Sequence, residues 1–274
     1  MDLTGLAWRL GRRVPRRTAD VLARALAPLV ALKRLPAVDA WTDTIERATG
    51  APPTRRQRRL LLENWLRNNL WSLSLAEWRD DEVLKVAAIA PSDLNKLRES
   101  LSGPGLVLAL PHMGSWDFAG AWCARVGIKV VSVAERLPGG VYERFAAARA
   151  GMGMTIYPVD QPGLMQRLAD DVAERRMVCL LADRDLSSRG INVPWPVTDG
   201  VVGVPAGPAL LARRTGADLR VATTHFDGGH LRLEVSDRIE GGTVQELMAG
   251  AVALFADAVR RHPENWLMLR RVFR

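Results

Sequence analysis

A histidine and an aspartate five residues apart, His112 and Asp117, are the strongest candidates for chemistry in this 274-residue sequence. His112 follows an apolar run that predicts a buried strand, and Asp117 falls in the first turn of a predicted helix. A carboxylate that accepts a hydrogen bond from one imidazole nitrogen fixes the tautomer and leaves the other nitrogen as a general base. Such a base activates a hydroxyl without a protein nucleophile. The amides at the helix start are suited to a developing oxyanion.

The spacing alone also fits a simpler interpretation, in which His112 packs or caps and Asp117 is a carboxylate at a helix start. Ser115 lies in the same turn, but the Gly-x-Ser-x-Gly pattern that exposes a nucleophilic serine is absent from the sequence, which disfavours that role. Cys123 and Cys179 lie in apolar runs and are expected to be core residues. No group of His, Cys, Asp and Glu has metal-ligand spacing in the sequence, so we predict no metal.

From about residue 104, short apolar runs alternate with helical patterns. They predict strands at 105–110, 129–133, 154–158, 177–182, 219–226 and 230–235, and helices at 114–126, 140–151, 163–175, 204–215 and 243–262. This succession predicts an α/β fold with a central mixed, largely parallel sheet covered by helices. Functional groups in such sheets collect beyond the carboxyl ends of the strands. His112 and the polar run 183–185 both fall at such ends.

Residues 1–100 are expected to form a helical layer, and residues 101–274 the α/β catalytic core of a single domain. Helices are predicted over 18–33 and over 55–79, the second with Thr54 as its N-cap. Trp and basic residues concentrate in this layer. That combination is typical of a peripheral platform that lies on an anionic bilayer. The alternative is that the Trp rings are core residues of the helical layer, which we expect for about half of them.

The net charge of +8, carried mainly by Arg, indicates a partner with phosphate groups, either nucleic acid or an anionic lipid surface. No helix-turn-helix, RNP or zinc-finger pattern accompanies the basic clusters, so nucleic-acid binding is not expected. No apolar stretch is long enough to span a bilayer, and no signal peptide is evident. We therefore expect a peripheral location at the cytoplasmic face of the cell membrane.

The segment 108–117, Leu-Ala-Leu-Pro-His-Met-Gly-Ser-Trp-Asp, closely resembles the His-x4-Asp motif of the bacterial lysophospholipid acyltransferase superfamily, and within it the lipid A lauroyl/myristoyl acyltransferase branch. Four further blocks match that branch in the same order: 143–153, 181–185, 203–217 and 262–266. The resemblance covers about 104–270 closely and the N-terminal part loosely. The Asp-Arg-Asp form of the second block is most similar to the actinobacterial members, which acylate phosphatidylinositol mannosides.

The resemblance implies an acyl-CoA-dependent O-acyltransferase that moves a long-chain fatty acyl group to a sugar hydroxyl of a glycolipid. It implies acyl-CoA as co-substrate and no other cofactor. It makes His112 and Asp117 catalytic. It suggests that Arg149 and Arg184 clamp a phosphate or glycolipid headgroup, with pairing to neighbouring acids as an equal alternative. Asp183 is expected to orient its loop rather than to transfer a proton.

One position departs from the pattern. In the mannoside enzymes a glutamate after the Asp-Arg-Asp block is thought to complete a catalytic triad, and the matching stretch here carries Asn192. Asn can form hydrogen bonds but supplies no negative charge. Either the alignment slips, or Glu135 or Asp185 supplies the carboxylate, or the charge is dispensable. This departure leaves a second hypothesis, a catalytically weak or inactive acyltransferase-like scaffold that binds lipid.

Overall fold

The computed structural model describes residues 10–31, 35–137, 139–185 and 190–274. Its helices are α1 (Arg16–Ala31), α2 (Pro36–Thr49), α3 (Arg55–Ser74), α4 (Asp80–Val86), α5 (Pro91–Ser102), α6 (Trp116–Arg125), α7 (Val141–Gly151), α8 (Leu164–Ala173), α9 (Gly207–Thr215) and α10 (Val244–Arg261). Its strands are β1 (Ala87–Ile89), β2 (Leu106–Leu110), β3 (Val130–Ala134), β4 (Met154–Pro158), β5 (Met177–Leu181), β6 (Ile191–Pro194), β7 (Val201–Val204), β8 (Asp218–Asp227) and β9 (His230–Val235). Short 3-10 turns follow α3 (Leu75–Glu77) and α10 (Pro263–Asn265).

Within these ranges seven strands form one sheet in the order β1-β9-β8-β2-β5-β3-β4. Neighbouring strands are parallel except in the β8–β9 hairpin. β6 and β7 form a separate antiparallel pair. The predicted α/β fold with a largely parallel mixed sheet is therefore confirmed. The long connections between parallel strands need helical crossovers, and this explains why helices alternate with strands from β2 onward.

Different helices cover the two faces of the sheet. In β2 the side chains alternate, so that Val107 and Ala109 pack with residues of α9 and α10. Leu106 and Leu108 pack on the other face with residues of α6 and α3. β2 is almost wholly buried, which accounts for its uninterrupted apolar sequence. β2 is therefore packed on both faces, and this packing fixes the position of the residues that follow it.

The N-terminal helices agree with most of the sequence prediction. Thr54 caps α3 in a capping box: its hydroxyl accepts from the Gln57 amide at 3.2 Å, and the Gln57 side chain accepts from the Thr54 amide at 2.8 Å. The expectation of an entirely helical first hundred residues is wrong at β1, which pairs in parallel with β9. Three residues are too few for hydrophobic periodicity to indicate a strand.

α1 exposes apolar side chains to solvent. The side of α1 that faces the protein consists of buried alanines, whereas the side chains of Val21 and Leu29 are 62% and 59% exposed. Of the N-terminal tryptophans, those at 41, 71 and 78 are buried, Trp65 on α3 is exposed, and Trp8 lies outside the described residues. No helix in the described ranges combines the length and hydropathy that a bilayer span requires.

Candidate active site

The imidazole of His112 lies against the carboxylate of Asp183, with Nδ1 and Oδ1 2.6 Å apart. The sheet causes this approach. β2 and β5 are parallel neighbours with Leu110 opposite Leu181, and the Ala182 amide donates to the Leu110 carbonyl at 2.8 Å. Each polar residue comes two positions after its strand register ends. A carboxylate at Nδ1 holds that nitrogen as the donor and leaves Nε2 as the basic nitrogen.

The carboxylate of Asp183 is almost completely buried, and both of its oxygens accept hydrogen bonds from neighbouring groups. Its Oδ2 accepts from the His112 backbone amide at 2.8 Å and from the Trp266 indole at 2.7 Å. Burial opposes ionisation of this carboxyl, but the charge of His112 and these hydrogen bonds lower its pKa below the ordinary value. The group is therefore an anion at neutral pH that can support a cationic imidazole.

Asp117 does not contact the imidazole. It forms a two-point pair with Arg149, in which Nε donates to Oδ1 at 2.7 Å and Nη2 to Oδ2 at 3.2 Å. The interpretation that Asp117 orients His112 is thus wrong, because the first turn of α6 directs this carboxylate toward α7. Asp183, and not Asp117, is the carboxylate that contacts the imidazole. Sequence spacing favours a partner five residues from His112. It contains no information on the parallel register of β2 and β5, which brings together two residues that are 71 positions apart in the sequence.

The turn between β2 and α6 has a fixed shape. Gly114 has a φ of +56°, and a Cβ there would lie 2.5 Å from the Thr224 hydroxyl and 2.6 Å from its carbonyl oxygen. The Thr224 hydroxyl accepts from the Ser115 amide and donates to the Met113 carbonyl, at 3.0 and 2.7 Å. The Gly114 amide donates to the Asn265 carbonyl at 2.9 Å. β8 and the segment after α10 therefore anchor the turn that presents His112.

Glu135 and Arg184 lie on the same edge of the sheet as His112. Glu135 follows β3, the other parallel neighbour of β5, and its carboxylate is 3.6 Å from the Arg184 guanidinium. Both residues line the cavity described below, as does Asp185. Asp185 also accepts from the Gly190 amide at 2.8 Å. The sequence left open whether Arg149 and Arg184 bind a headgroup or pair with acids. In the structure each guanidinium lies beside a carboxylate, so the pairing is present, and headgroup binding stays a prediction.

Asn192 lies outside this site. It belongs to β6, its side chain accepts from Arg274 at 2.7 Å, and its carbonyl accepts from Gln245 at 2.9 Å. It is exposed and does not line the cavity. The structure therefore places Asn192 away from His112 and from the cavity. A carboxylate does contact His112, but it is Asp183 of the Asp-Arg-Asp block and not a residue of the following loop.

A cavity of about 1120 Å³ opens beside His112. It exceeds the range of about 300–1,000 Å³ that holds most small ligands. Its walls are mainly apolar and come from both faces of the sheet: Leu108, Cys179 and Met154 from one, and Leu168, Leu180 and Leu164 from the other. Burial raises the pKa of Cys179 and Cys123, so both thiols stay neutral, in line with their expected place as apolar residues.

One group of possible metal ligands occurs among the described residues, although sequence spacing gave none. His225, Glu234 and His262 bring one ligand atom each within 4.8 Å of one another. The two imidazoles stack at 3.8 Å with 13° between their planes. Their lone pairs lie in nearly parallel planes and do not converge on one point, and Glu234 is engaged by Arg261 at 2.8 and 3.1 Å. We assign this group no metal.

Comparison with known proteins gives a consistent match along the chain. The model of the family described as bacterial lipid A biosynthesis acyltransferase matches residues 6–274. A phosphatidylinositol mannoside acyltransferase from Mycolicibacterium smegmatis is 30% identical over 96% of this chain and 88% of its own length. A protein of the same name from Mycobacterium tuberculosis H37Rv is 34% identical over 62% of this chain and 54% of its own length.

Proposed function

The chain belongs to the bacterial lipid A biosynthesis acyltransferase family, and from this premise we propose that it transfers a long-chain acyl group from acyl-CoA to a sugar hydroxyl of a glycolipid. The observation that carries the proposal is the dyad of His112 and Asp183 at the mouth of a large apolar cavity. A phosphatidylinositol mannoside is the proposed acceptor, because two relatives carry that substrate in their names.

In the proposed reaction, Nε2 of His112 removes the proton from the acceptor hydroxyl as its oxygen attacks the thioester carbonyl. The new C–O bond gives a tetrahedral oxyanion, and Asp183 stabilises the imidazolium that has formed. Collapse of the intermediate breaks the C–S bond. The imidazolium then returns its proton to the leaving thiolate, so the products are the ester and CoA thiol. No protein nucleophile is required.

Asp117 and Arg149 have a supporting part in this scheme. Their pairing places the Arg149 guanidinium at the first turn of α6, beside the cavity. A guanidinium and the amides of a helix start both favour negative charge. Arg149 or these amides stabilise the oxyanion, and Asp117 holds Arg149 in place. Arg184, with Glu135, borders the route by which a charged headgroup or the CoA phosphates approach.

The protein works from the cytoplasmic face of the membrane in this proposal. α1 presents exposed Val21, Leu22, Leu26 and Leu29, and the exposed bases Arg55, Arg56 and Arg59 lie at the start of α3. Apolar side chains beside bases suit a surface that contacts the acyl and phosphate layers of an anionic bilayer. Nucleic acid is not a proposed partner.

Thiol release from palmitoyl-CoA, with and without a membrane glycolipid extract, tests the proposed reaction. Acceptor-dependent release is expected from the native protein and from His230→Ala, which changes an exposed histidine away from the cavity. His112→Ala should lower it by about 10³-fold or more. Mass spectrometry of the lipid product then names the acceptor. Absence of release with every glycolipid, while palmitoyl-CoA still binds, would leave the lipid-binding scaffold as the better function.

Flotation with vesicles tests the membrane surface separately. Leu22→Ser with Leu29→Ser should weaken binding to vesicles that contain phosphatidylinositol by about tenfold, because two leucines lose part of their apolar contact. Leu84→Ser serves as the control, since Leu84 is an exposed leucine on α4. Equal binding by all three proteins would remove α1 from the docking surface.

A further inference from the structure

The face of α3 that borders the active-site cavity is polar. Asn68, Asn69 and Ser72 line the cavity from this helix. Residues at these spacings lie on one side of a helix. Asn68 and Ser72 are buried, with 6% and 8% of their surface exposed. Because most of the cavity wall is apolar, this strip of neutral polar groups is unsuited to an acyl chain and indicates a second kind of ligand group.

The amide oxygen of Asn68 is buried and has no hydrogen-bond partner among the described residues. Several other polar side chains of the cavity wall have partners within the protein, although the buried Nε of Arg184 also lacks one in the described part of the chain. The hydroxyls of Ser132 and Tyr142 donate to backbone carbonyls, and Asp117 accepts from Arg149. A buried carbonyl oxygen without a partner is uncommon, because removal from water is unfavourable unless a new hydrogen bond forms. Asn68 lines the cavity, so rotation of its side-chain amide toward the cavity would give this oxygen a donor from a group that enters there.

Contacts of α3 place this strip close to the catalytic turn. One helical turn before Asn68, the Asn64 side chain donates to the Asn265 side chain at 3.4 Å. The carbonyl of Asn265 accepts from the Gly114 amide at 2.9 Å. Gly114 is only two residues from His112. The polar strip thus lies one helical turn along α3 from a residue that is tied to the turn carrying His112, and it lines the same cavity as His112.

Resting on the proposed function, we infer that Asn68, with Asn69 and Ser72, binds hydroxyl groups of the acceptor's sugar headgroup. Amides and hydroxyls accept from and donate to the neutral hydroxyls of a polyol, and a ligand hydroxyl supplies the donor that the Asn68 oxygen lacks. The strip carries no charge, so it does not select a phosphate. This subsite positions the sugar so that one of its hydroxyls reaches Nε2 of His112, and it discriminates glycolipids from lipids without a polyol.

The test compares native protein, Asn68→Ala and Asn95→Ala in two assays. Asn95 is an exposed asparagine on α5 and serves as the matched control. The first assay measures transfer against acceptor and donor concentrations separately. The second measures equilibrium binding of methyl α-mannoside without any acyl donor. Asn68→Ala should raise both the acceptor KM and the Kd for the sugar about five- to tenfold, the loss expected for one hydrogen bond between neutral groups.

The donor KM should stay within about twofold in all three proteins. The melting temperature of Asn68→Ala should equal or exceed that of native protein, since an unpaired buried amide is removed. Sugar binding that depends on Asn68 without any transfer by native protein would support the subsite while overturning the proposed function. Transfer with an unchanged acceptor KM and sugar Kd in Asn68→Ala would overturn the subsite alone. Neither transfer nor sugar binding by native protein would overturn both.

Discussion

His112 Nδ1 and Asp183 Oδ1 lie 2.6 Å apart, although 71 residues separate the two side chains in the sequence. Their contact depends on the pairing of β2 with β5, so the proposed catalytic dyad is a property of the sheet rather than of a local motif. Trp266 adds a third point of support from the end of the chain, because its indole donates to the same carboxylate. Three distant segments must therefore be in place before the base is oriented.

Asp183→Asn should lower kcat for acyl transfer by about 10³- to 10⁴-fold, since an amide cannot stabilise the imidazolium and can turn its donor toward Nδ1. Thiol release measured at saturating acceptor gives the change in rate, and binding of palmitoyl-CoA should stay within about twofold. Asp171→Asn is the matched control, because Asp171 is buried on α8 away from the cavity and burial raises the pKa of its carboxyl. A rate for Asp183→Asn close to that of the control would remove Asp183 from the mechanism.

The pair of Asp117 and Arg149 gives a second prediction, tested by a double-mutant cycle. Arg149→Gln and Asp117→Asn should each reduce transfer, because the first removes the guanidinium and the second leaves it without its two-point partner. If Asp117 acts only through Arg149, the double variant should be no slower than Arg149→Gln. The coupling free energy should lie at about 0.5–3 kcal/mol. Fully additive losses would instead mean that the two side chains act independently.

The sequence points to His112 as the candidate base but does not predict the carboxylate that contacts it. The apolar run of β2, a His at its end and a Gly-Ser-Trp turn all depend on neighbouring residues, so local patterns locate them correctly. The order of strands in a sheet follows from packing across the whole domain, and periodicity along the chain does not contain it. Proximity in sequence and the His-x4-Asp pattern therefore favour Asp117, whereas the fold brings Asp183 to His112.

Asn192 is a second residue whose place in the fold does not follow from its place in the sequence. Alignment with relatives placed it where a carboxylate was expected, but the β6–β7 pair turns it toward Arg274. The polar strip of the cavity is likewise not predicted by the sequence. The side chains of that strip lie on α3, whose sequence reads as an ordinary helix with polar residues at regular spacing. Only the packing of α3 over the catalytic turn distinguishes Asn68 from a solvent-facing asparagine.

Gly114 and Gly127 form a matched pair for a third prediction. Both have positive φ, at +56° and +85°, but only Gly114 has neighbours that a Cβ would strike. Gly127→Ala should lower the free energy of unfolding by about 1 kcal/mol through backbone strain alone. Gly114→Ala should lower it by about 2–4 kcal/mol, because the Thr224 backbone has to move as well. Urea denaturation at constant m-value measures both, and equal losses would show that the contact with β8 is unimportant.

Gly114→Ala should also lower acyl transfer, since the displaced turn carries His112. Gly127→Ala should leave the rate of transfer within about twofold. These rates are measured at a temperature where both variants are folded, as judged by circular dichroism. A fully active Gly114→Ala would mean that the turn tolerates a shift of the base.

The stacked imidazoles of His225 and His262 predict how stability depends on pH. Burial and the neighbouring His262 lower the pKa of His225 to about 4, while Glu234 and Asp227 oppose that shift. An unfolded histidine titrates near pH 6.5. Below pH 6.5 the unfolded state therefore binds a proton that the native state does not, so the stabilising contribution is present above that pH and declines as pH falls toward 4.

The expected loss in the free energy of unfolding is about 2 kcal/mol between pH 7 and pH 5 for His225 alone. His225→Gln should reduce this pH dependence, because a neutral amide does not titrate. His230→Gln should retain it, since His230 is exposed at the start of β9. Urea denaturation at half-unit steps from pH 7 to pH 5 measures the slopes. If His225→Gln loses stability as steeply as native protein, another group is responsible, and His262, whose pKa is also lowered by burial, is the next to replace.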